Sequence, residues 1–264
     1  MCRMLREGDV LGHDRVGSGP RAIVVLNDWL CDTSTWDSAR TYLDGERFSW
    51  AFTDLRGYGR SRGRAGAFTA VEAANDVIAL ADALGWARFA IVSHSMSTLV
   101  ALHLAQHHES RIERAVLLTP PPPAGFGADQ AAIDAVQALA RGDHATRAAV
   151  LSQRFGDRLG EGWANYKAAR WRAGADPEAA AGYVAMFMRD GIPDQAARIA
   201  VPLLAITGEQ DAPPMRREAV LRNLSPLCEH LEVTALADVG HYPMQEMPPL
   251  TVALVERFLA AEAR

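Results

Sequence analysis

The chain has 264 residues, 49% of them apolar and 22% charged, with a formal charge of −5 at neutral pH. That balance describes a globular protein with a sizeable core, and the negative charge weighs against nucleic acid or an anionic membrane as its main partner. Three cysteines, Cys2, Cys31 and Cys228, are too few and too far apart for a disulfide framework or a structural zinc site, and no apolar run reaches membrane-spanning length.

Met1 to Val10 is charged and lacks the apolar stretch of a secretory leader, so a cytoplasmic protein is expected. Ala22–Leu26 is a short apolar run of the buried-strand type, followed by the loop Asn27-Asp28-Trp29-Leu30-Cys31-Asp32. Trp50–Thr53 is a second such run and leads into Asp54-Leu55-Arg56-Gly57-Tyr58-Gly59-Arg60-Ser61. Between Thr69 and Leu84, Val71, Ala74, Val77, Ile78, Leu80, Ala81 and Leu84 recur at helical spacing. Phe89–Val92 then runs straight into Ser93-His94-Ser95-Met96-Ser97, and an apolar helical segment (Leu99 to Ala105) follows without a gap. A serine flanked two positions away by small residues, between a strand and a helix, is a relaxed nucleophile elbow. Small flanks are needed because that turn brings backbone close to the serine's neighbours; here Ser93 and Ser97 stand where glycine is usual.

Arg114–Thr119 reads as the next strand, and Pro120–Pro123 as a stiff extended connector. From about Gly125 to Ala197 the pattern turns helical and Ala-rich, which predicts an inserted helical cap. The expected organisation is a core of residues 1–123 and 198–264 with a cap of residues 124–197. Pro202–Thr207 reads as a buried strand carrying Gly208-Glu209-Gln210-Asp211 at its carboxyl end. Leu231–Thr234 is a further strand, and a loop with Gly240-His241-Tyr242-Pro243 follows. Alternating strands and helices predict an α/β fold with a mainly parallel sheet and its site at the carboxyl ends of the strands.

The order Ser95, Asp211, His241, the elbow, the Asp54–Ser61 loop and the Gly240-His241-Tyr242-Pro243-Met244-Gln245-Glu246 loop together resemble the α/β-hydrolase superfamily, from about residue 8 to residue 260. The resemblance implies Ser95 as nucleophile, His241 as general base and Asp211 as the acid that orients it. It implies an oxyanion hole of the Met96 and Trp29 backbone N–H groups. The usual His-Gly before the second donor is replaced here by Asn27-Asp28. Both residues tolerate left-handed backbone, and Asp28 is expected to point away from the oxyanion towards loop amides or Arg56. Capped sites are walled mainly by apolar side chains; the expected wall is Trp29, Trp36, Phe126, Trp163, Tyr166, Tyr183, Phe187 and Tyr242. The expected partner is a small-molecule substrate, with no cofactor and no metal; a homodimer through cap or edge surfaces is left open.

Other residues have blander readings. Asp54 is taken as structural and Asp238 as part of the histidine loop. His103, His107 and His108 are taken as a solvated helix end rather than metal ligands, and Arg56, Arg60, Arg62 and Arg64 as a hydrogen-bonding loop. Cys31 is taken as a small apolar loop residue, and His94 as packed beneath the elbow. The activity expected is hydrolysis of a small-to-medium carboxylic ester or lactone. One alternative is a cofactor-free ring-cleaving dioxygenase, because Val92-Ser93-His94-Ser95 and Trp29-Leu30-Cys31-Asp32 resemble stretches of the quinolone dioxygenases of this superfamily. Those proteins place the acid after the strand following the elbow, where this chain has Thr119 and prolines. A lyase on the same scaffold and a ligand receptor that keeps its triad are further alternatives. Dehalogenase chemistry is disfavoured, since it needs a carboxylate at the position of Ser95.

Overall fold

The computed structural model describes residues 10–261; the stretch read above as lacking a leader lies almost wholly outside them, as does Cys2. Seven strands form one sheet in the order β1-β3-β2-β4-β5-β6-β7. They are β1 (His13–Val16), β2 (Arg21–Leu26), β3 (Phe48–Thr53), β4 (Phe89–His94), β5 (Ile112–Leu118), β6 (Leu203–Gly208) and β7 (Leu231–Leu236). Only β1 runs antiparallel, against β3; the remaining pairs are parallel. Strands β3, β4 and β6 are buried at every residue, as a parallel sheet covered on both faces requires.

Nine α-helices complete the described chain: α1 (Asp37–Arg40), α2 (Ala70–Ala83), α3 (Ser97–His107), α4 (Gln130–Arg141), α5 (His144–Gly174), α6 (Pro177–Ala185), α7 (Arg217–Leu224), α8 (Pro243–Glu246) and α9 (Pro248–Ala260). The predicted helix at 69–84 is α2, whose N-terminal amide of Glu72 is capped by the Thr69 hydroxyl at 3.2 Å. Everything between β5 and β6 is helical or loop: α4, α5, α6 and a π-helical turn at Met186–Asp190. Within α5 two helical stretches meet at Gly160, whose φ of 79° no other residue type would adopt cheaply.

The strand order reverses between β2 and β4, so the loops leaving their carboxyl ends diverge and open a crevice. β2 delivers Asn27–Leu30 to that crevice, β4 delivers Ser95, and β6 and β7 deliver the loops of Asp211 and His241. Gly208 makes the last meeting possible. A Cβ there would stand 2.2 Å from the Gly240 carbonyl oxygen, so only glycine lets the two loops touch. No helix among the described residues is long and apolar enough to cross a membrane.

Candidate active site

Ser95 sits at the end of β4 with φ of 55°, a strained conformation for a non-glycine residue. The flanking serines spend the hydroxyls that glycine would lack. Ser93 Oγ donates to the Val116 carbonyl at 3.1 Å. Ser97 Oγ donates to the His94 carbonyl at 3.0 Å and accepts from the His94 N–H at 3.1 Å. Both serines are fully buried, so these bonds offset the desolvation of their hydroxyls and tie the elbow to itself and to β5.

His241 Nε2 lies 3.0 Å from Ser95 Oγ, and its Nδ1 lies 2.7 Å from Asp211 Oδ2. Asp211 Oδ1 accepts the Ala212 N–H at 2.7 Å. Burial alone would push the Asp211 carboxyl up, but the charge and hydrogen bond of His241 and the Ala212 amide outweigh it and hold the group below its ordinary value. Glu246 straddles the histidine: its carboxylate accepts the Gly240 N–H at 2.8 Å and the Tyr242 N–H at 2.9 Å, and it pairs with Arg158 of α5. The loop is therefore pinned on both sides of the ring it presents.

The Asn27–Leu30 loop keeps its shape by a different device from the one expected. Neither Asn27 nor Asp28 adopts positive φ. Instead the Asn27 side chain is a clasp: Oδ1 accepts the Leu55 N–H at 2.8 Å, and Nδ2 donates to the Asp28 and Cys31 carbonyls at 2.7 and 3.0 Å. Holding the Asp28 carbonyl fixes the plane of the peptide whose other end is the Trp29 N–H, because carbonyl and amide of one planar trans unit point in opposite directions. Neither the Trp29 nor the Met96 N–H has a protein acceptor among the described residues. Tyr58 Oη donates to the Trp29 carbonyl at 2.9 Å, and Trp29 Nε1 donates to the Ala180 carbonyl of α6 at 2.7 Å.

Asp28 does bond a loop amide, the Leu30 N–H at 3.0 Å, but it has no contact with Arg56, which pairs with Asp76. Its partner is Lys167 of α5, Nζ to Oδ2 at 3.2 Å. Burial would raise the Asp28 carboxyl, yet the Lys167 charge, together with His94 beside it, outweighs burial and holds the group far below the usual carboxylate range. His94 Nδ1 lies 3.4 Å from the same oxygen but in no hydrogen-bonding geometry; its Nε2 is 2.6 Å from the His241 carbonyl oxygen. Burial lowers the His94 pKa, and Nε2 is the nitrogen that donates, because the His241 carbonyl can only accept.

A cavity of about 260 Å³ opens above Ser95 and His241, bordered also by Asp28 and Met96. Four of the expected wall residues line it: Trp29, Phe126, Phe187 and Tyr242. The other four do not. Trp36 packs under β2 and β3, its Nε1 donating to the Leu26 carbonyl at 3.2 Å and its ring 6.4 Å from Phe52. Trp163 stands behind Tyr242, centroids 5.1 Å apart, with Nε1 bonded to Gln245. Tyr183 is buried against Tyr58 and Phe68, and Tyr166 is 51% exposed on the outer face of α5. Leu151, Phe155 and Trp171 of α5 fill their places. Leu151 and Phe155 lie four apart on one helix face, a spacing readable in the sequence.

The remaining residues sort as follows. Asp54 accepts the Thr33 and Arg60 amides and stays out of the site. Arg56, Arg60 and Arg62 are spent on protein acceptors. Cys31 is buried, its thiol pushed up to about 11 by burial. His103 departs from expectation: it is buried rather than solvated, its ring 4.5 Å from His107, and burial pushes it down to about 4. Among the described residues no group of three His, Cys, Asp or Glu side chains could hold a metal ion.

The sheet order, the elbow and the loops it places are those of one family. The model of the Alpha/beta hydrolase family matches residues 23–254, and the chain belongs to that family. An enol-lactonase from Burkholderia xenovorans LB400 is 25% identical, with 95% of this chain and 96% of that one covered and a TM-score of 0.79. A hydrolase from Pseudomonas aeruginosa PA01 is likewise 25% identical, covering 94% of each chain at a TM-score of 0.80. A bromoperoxidase from Bacillus anthracis superposes with a TM-score of 0.83 at 18% identity, over 94% of this chain and 95% of that one. No curated protein matches the chain significantly in sequence.

Proposed function

We propose that the protein hydrolyses a small-to-medium carboxylic ester or lactone through an acyl-enzyme on Ser95. The observation that carries this is the unbroken line Asp211–His241–Ser95, at 2.7 and 3.0 Å, ending in a cavity beside two uncommitted backbone amides. Ser95 Oγ adds to the substrate carbonyl while His241 Nε2 takes its proton, and the Trp29 and Met96 N–H groups receive the alkoxide. Collapse expels the alcohol, which leaves with the proton held on His241; water, deprotonated by the same nitrogen, then releases the acid. In a lactone the alcohol stays tethered to the product. The helical insertion acts as the cap, supplying apolar wall from α5 and from the Phe187 turn. The 25% identity with an enol-lactonase over nearly the whole chain favours an oxygen ester or lactone over other acyl groups.

The dioxygenase reading has less support. The position where those proteins carry their acid is Thr119, whose hydroxyl donates to the His241 backbone carbonyl at 3.2 Å and not to its ring. The deciding experiment is steady-state hydrolysis of p-nitrophenyl butyrate by the native chain and by Ser95→Ala. Multiple turnovers lost in the variant are expected. No turnover by the native chain, with oxygen uptake on a hydroxyquinolone, would replace the hydrolase reading with the dioxygenase.

A further inference from the structure

Of the 27 lysine and arginine residues in this chain, a single one is lysine, Lys167. It is also fully buried, on the inner face of α5 in line with Ala164, Ala168 and Trp171. A chain that meets its other cationic needs with arginine has placed its one compact ammonium in the interior. Nζ lies 3.2 Å from Asp28 Oδ2, 3.1 Å from Thr35 Oγ1 and 4.4 Å from the Tyr242 ring centroid. These partners come from the loop after β2 and from the residue after His241, so one side chain of the insertion joins both halves of the catalytic centre.

The carboxylate it meets stands in an awkward place. Asp28 borders the same cavity as Ser95, and its own peptide carries the Trp29 N–H. A bare anion there would repel the alkoxide that the hole must hold, and burial would make the repulsion stronger than in water. His94, which also faces Asp28, is turned to another partner: its Nε2 meets the His241 carbonyl at 2.6 Å, and its Nδ1, 3.4 Å from Asp28 Oδ2, makes no hydrogen bond. Lys167 is the cation hydrogen-bonded to the carboxylate. An arginine would bring a broad, planar fork in place of a compact point charge that fits among Thr35, Asp28 and the ring of Tyr242.

We infer that Lys167 is a positioning residue of the oxyanion hole: its ammonium, carried in by the helical insertion, cancels the Asp28 carboxylate so that the Trp29 and Met96 amides can hold a developing alkoxide. This rests on the hydrolase reading. It also makes seating of the insertion a condition of catalysis, because an insertion lifted from the core takes the cancelling charge with it.

The test compares the native chain, Lys167→Met and the double variant D28N/K167M on p-nitrophenyl butyrate. It adds inhibition by phenylboronic acid, which joins a serine as a tetrahedral anion. In Lys167→Met, kcat should fall about 100-fold with KM nearly unchanged, the loss expected when one oxyanion contact is spoiled. Boronate inhibition should weaken in parallel. In D28N/K167M both anion and cation are gone, and turnover should return to within about fivefold of the native chain, as neutral replacement of a buried pair commonly allows. A purely structural lysine predicts the opposite: the double variant would be as impaired as the single one. Native-like kcat in Lys167→Met, or a double variant that is unfolded or as slow as the single, overturns the inference. If Lys167→Met alone does not fold, the folded double variant decides by its turnover. A native chain that neither hydrolyses the ester nor binds the boronate would instead overturn the hydrolase reading itself.

Discussion

The two halves of the candidate active site are built in different ways. Ser95, His241 and Asp211 stand at the carboxyl ends of β4, β7 and β6, and short-range bonds hold them: Ser97 to His94, Glu246 to the amides on either side of His241, Ala212 to Asp211. The Asn27–Leu30 loop has local bonds from the Asn27 and Asp28 side chains, but it is held from far along the chain as well. Leu55, Tyr58, Lys167 and Ala180 all reach it, from one other loop and two helices of the insertion. The first half is a set of local turns, each short enough to be written as a motif. The second is an assembly, and its parts have no fixed spacing.

That contrast can be broken from either side. The largest effect belongs to the local half: Ser95→Ala should lower kcat/KM on p-nitrophenyl butyrate by about 10⁴-fold or more, and Asp211→Asn by about 10⁴-fold, since an amide cannot stabilise the imidazolium. Steady-state kinetics reads both. A milder loss in Asp211→Asn would shift the role of acid to another carboxylate.

Asn27→Ala probes the assembled half. It frees the Trp29 peptide to rotate and should cost about 100-fold in kcat, the scale of a misaligned donor. It should also cost about 1–3 kcal/mol of stability, because the Leu55 amide and two carbonyls lose their partner. Urea unfolding beside kcat separates the two effects; loss of stability with kcat intact would show that the amide does not orient the hole.

Acid unfolding tests the charges. Asp28 and Asp211 are both held below the ordinary carboxylate value in the fold. Each therefore contributes stability that is complete above about pH 4, their unfolded value, and is lost as pH falls through the lowered folded value. D28N/K167M should show a stability-against-pH slope between about pH 4 and pH 2 that is shallower by close to one proton, or about 1.4 kcal/mol per pH unit. Urea midpoints at a series of pH values measure it, and an unchanged slope would mean that Asp28 is not the anion of the pair.

The smallest effect is expected at the elbow's flank. Ser97→Ala removes the hydroxyl that serves the His94 amide and carbonyl, at about 1 kcal/mol of stability, and kcat should stay within about threefold, since the methyl side chain still fits. A larger fall in kcat would make that hydroxyl part of the machinery that sets Ser95.

Most of the fold could be read from the chain because continuous apolar runs such as Ala22–Leu26 and Leu203–Thr207 have few alternatives to a buried parallel strand. The antiparallel edge strand His13–Val16 carries no such mark: it is short, mixed in polarity and only partly buried, so no period sets it apart. The wall of the cavity was half legible. Trp29, Phe126, Phe187 and Tyr242 face it, whereas Trp36, Trp163, Tyr166 and Tyr183 do not. An aromatic side chain reads the same in sequence whether its helix turns it inward, outward or behind a neighbour. Lys167 did leave a signal, as the one lysine of the chain set on the apolar stripe of α5, but nothing local to it names Asp28.

The sequence by itself determined the sheet, the elbow and the order Ser95, Asp211, His241, because strand burial and tight turns are enforced by residues next to one another. The tertiary structure alone decided which aromatics meet the cavity, that Asn27 rather than a left-handed backbone shapes the Asn27–Leu30 loop, and that Asp28 has a cation at its side. Beyond the bonds of Asn27 to its own loop, those depend on groups 28 to 151 residues apart, and contacts at that separation are set by how helices pack, which no short stretch of sequence encodes.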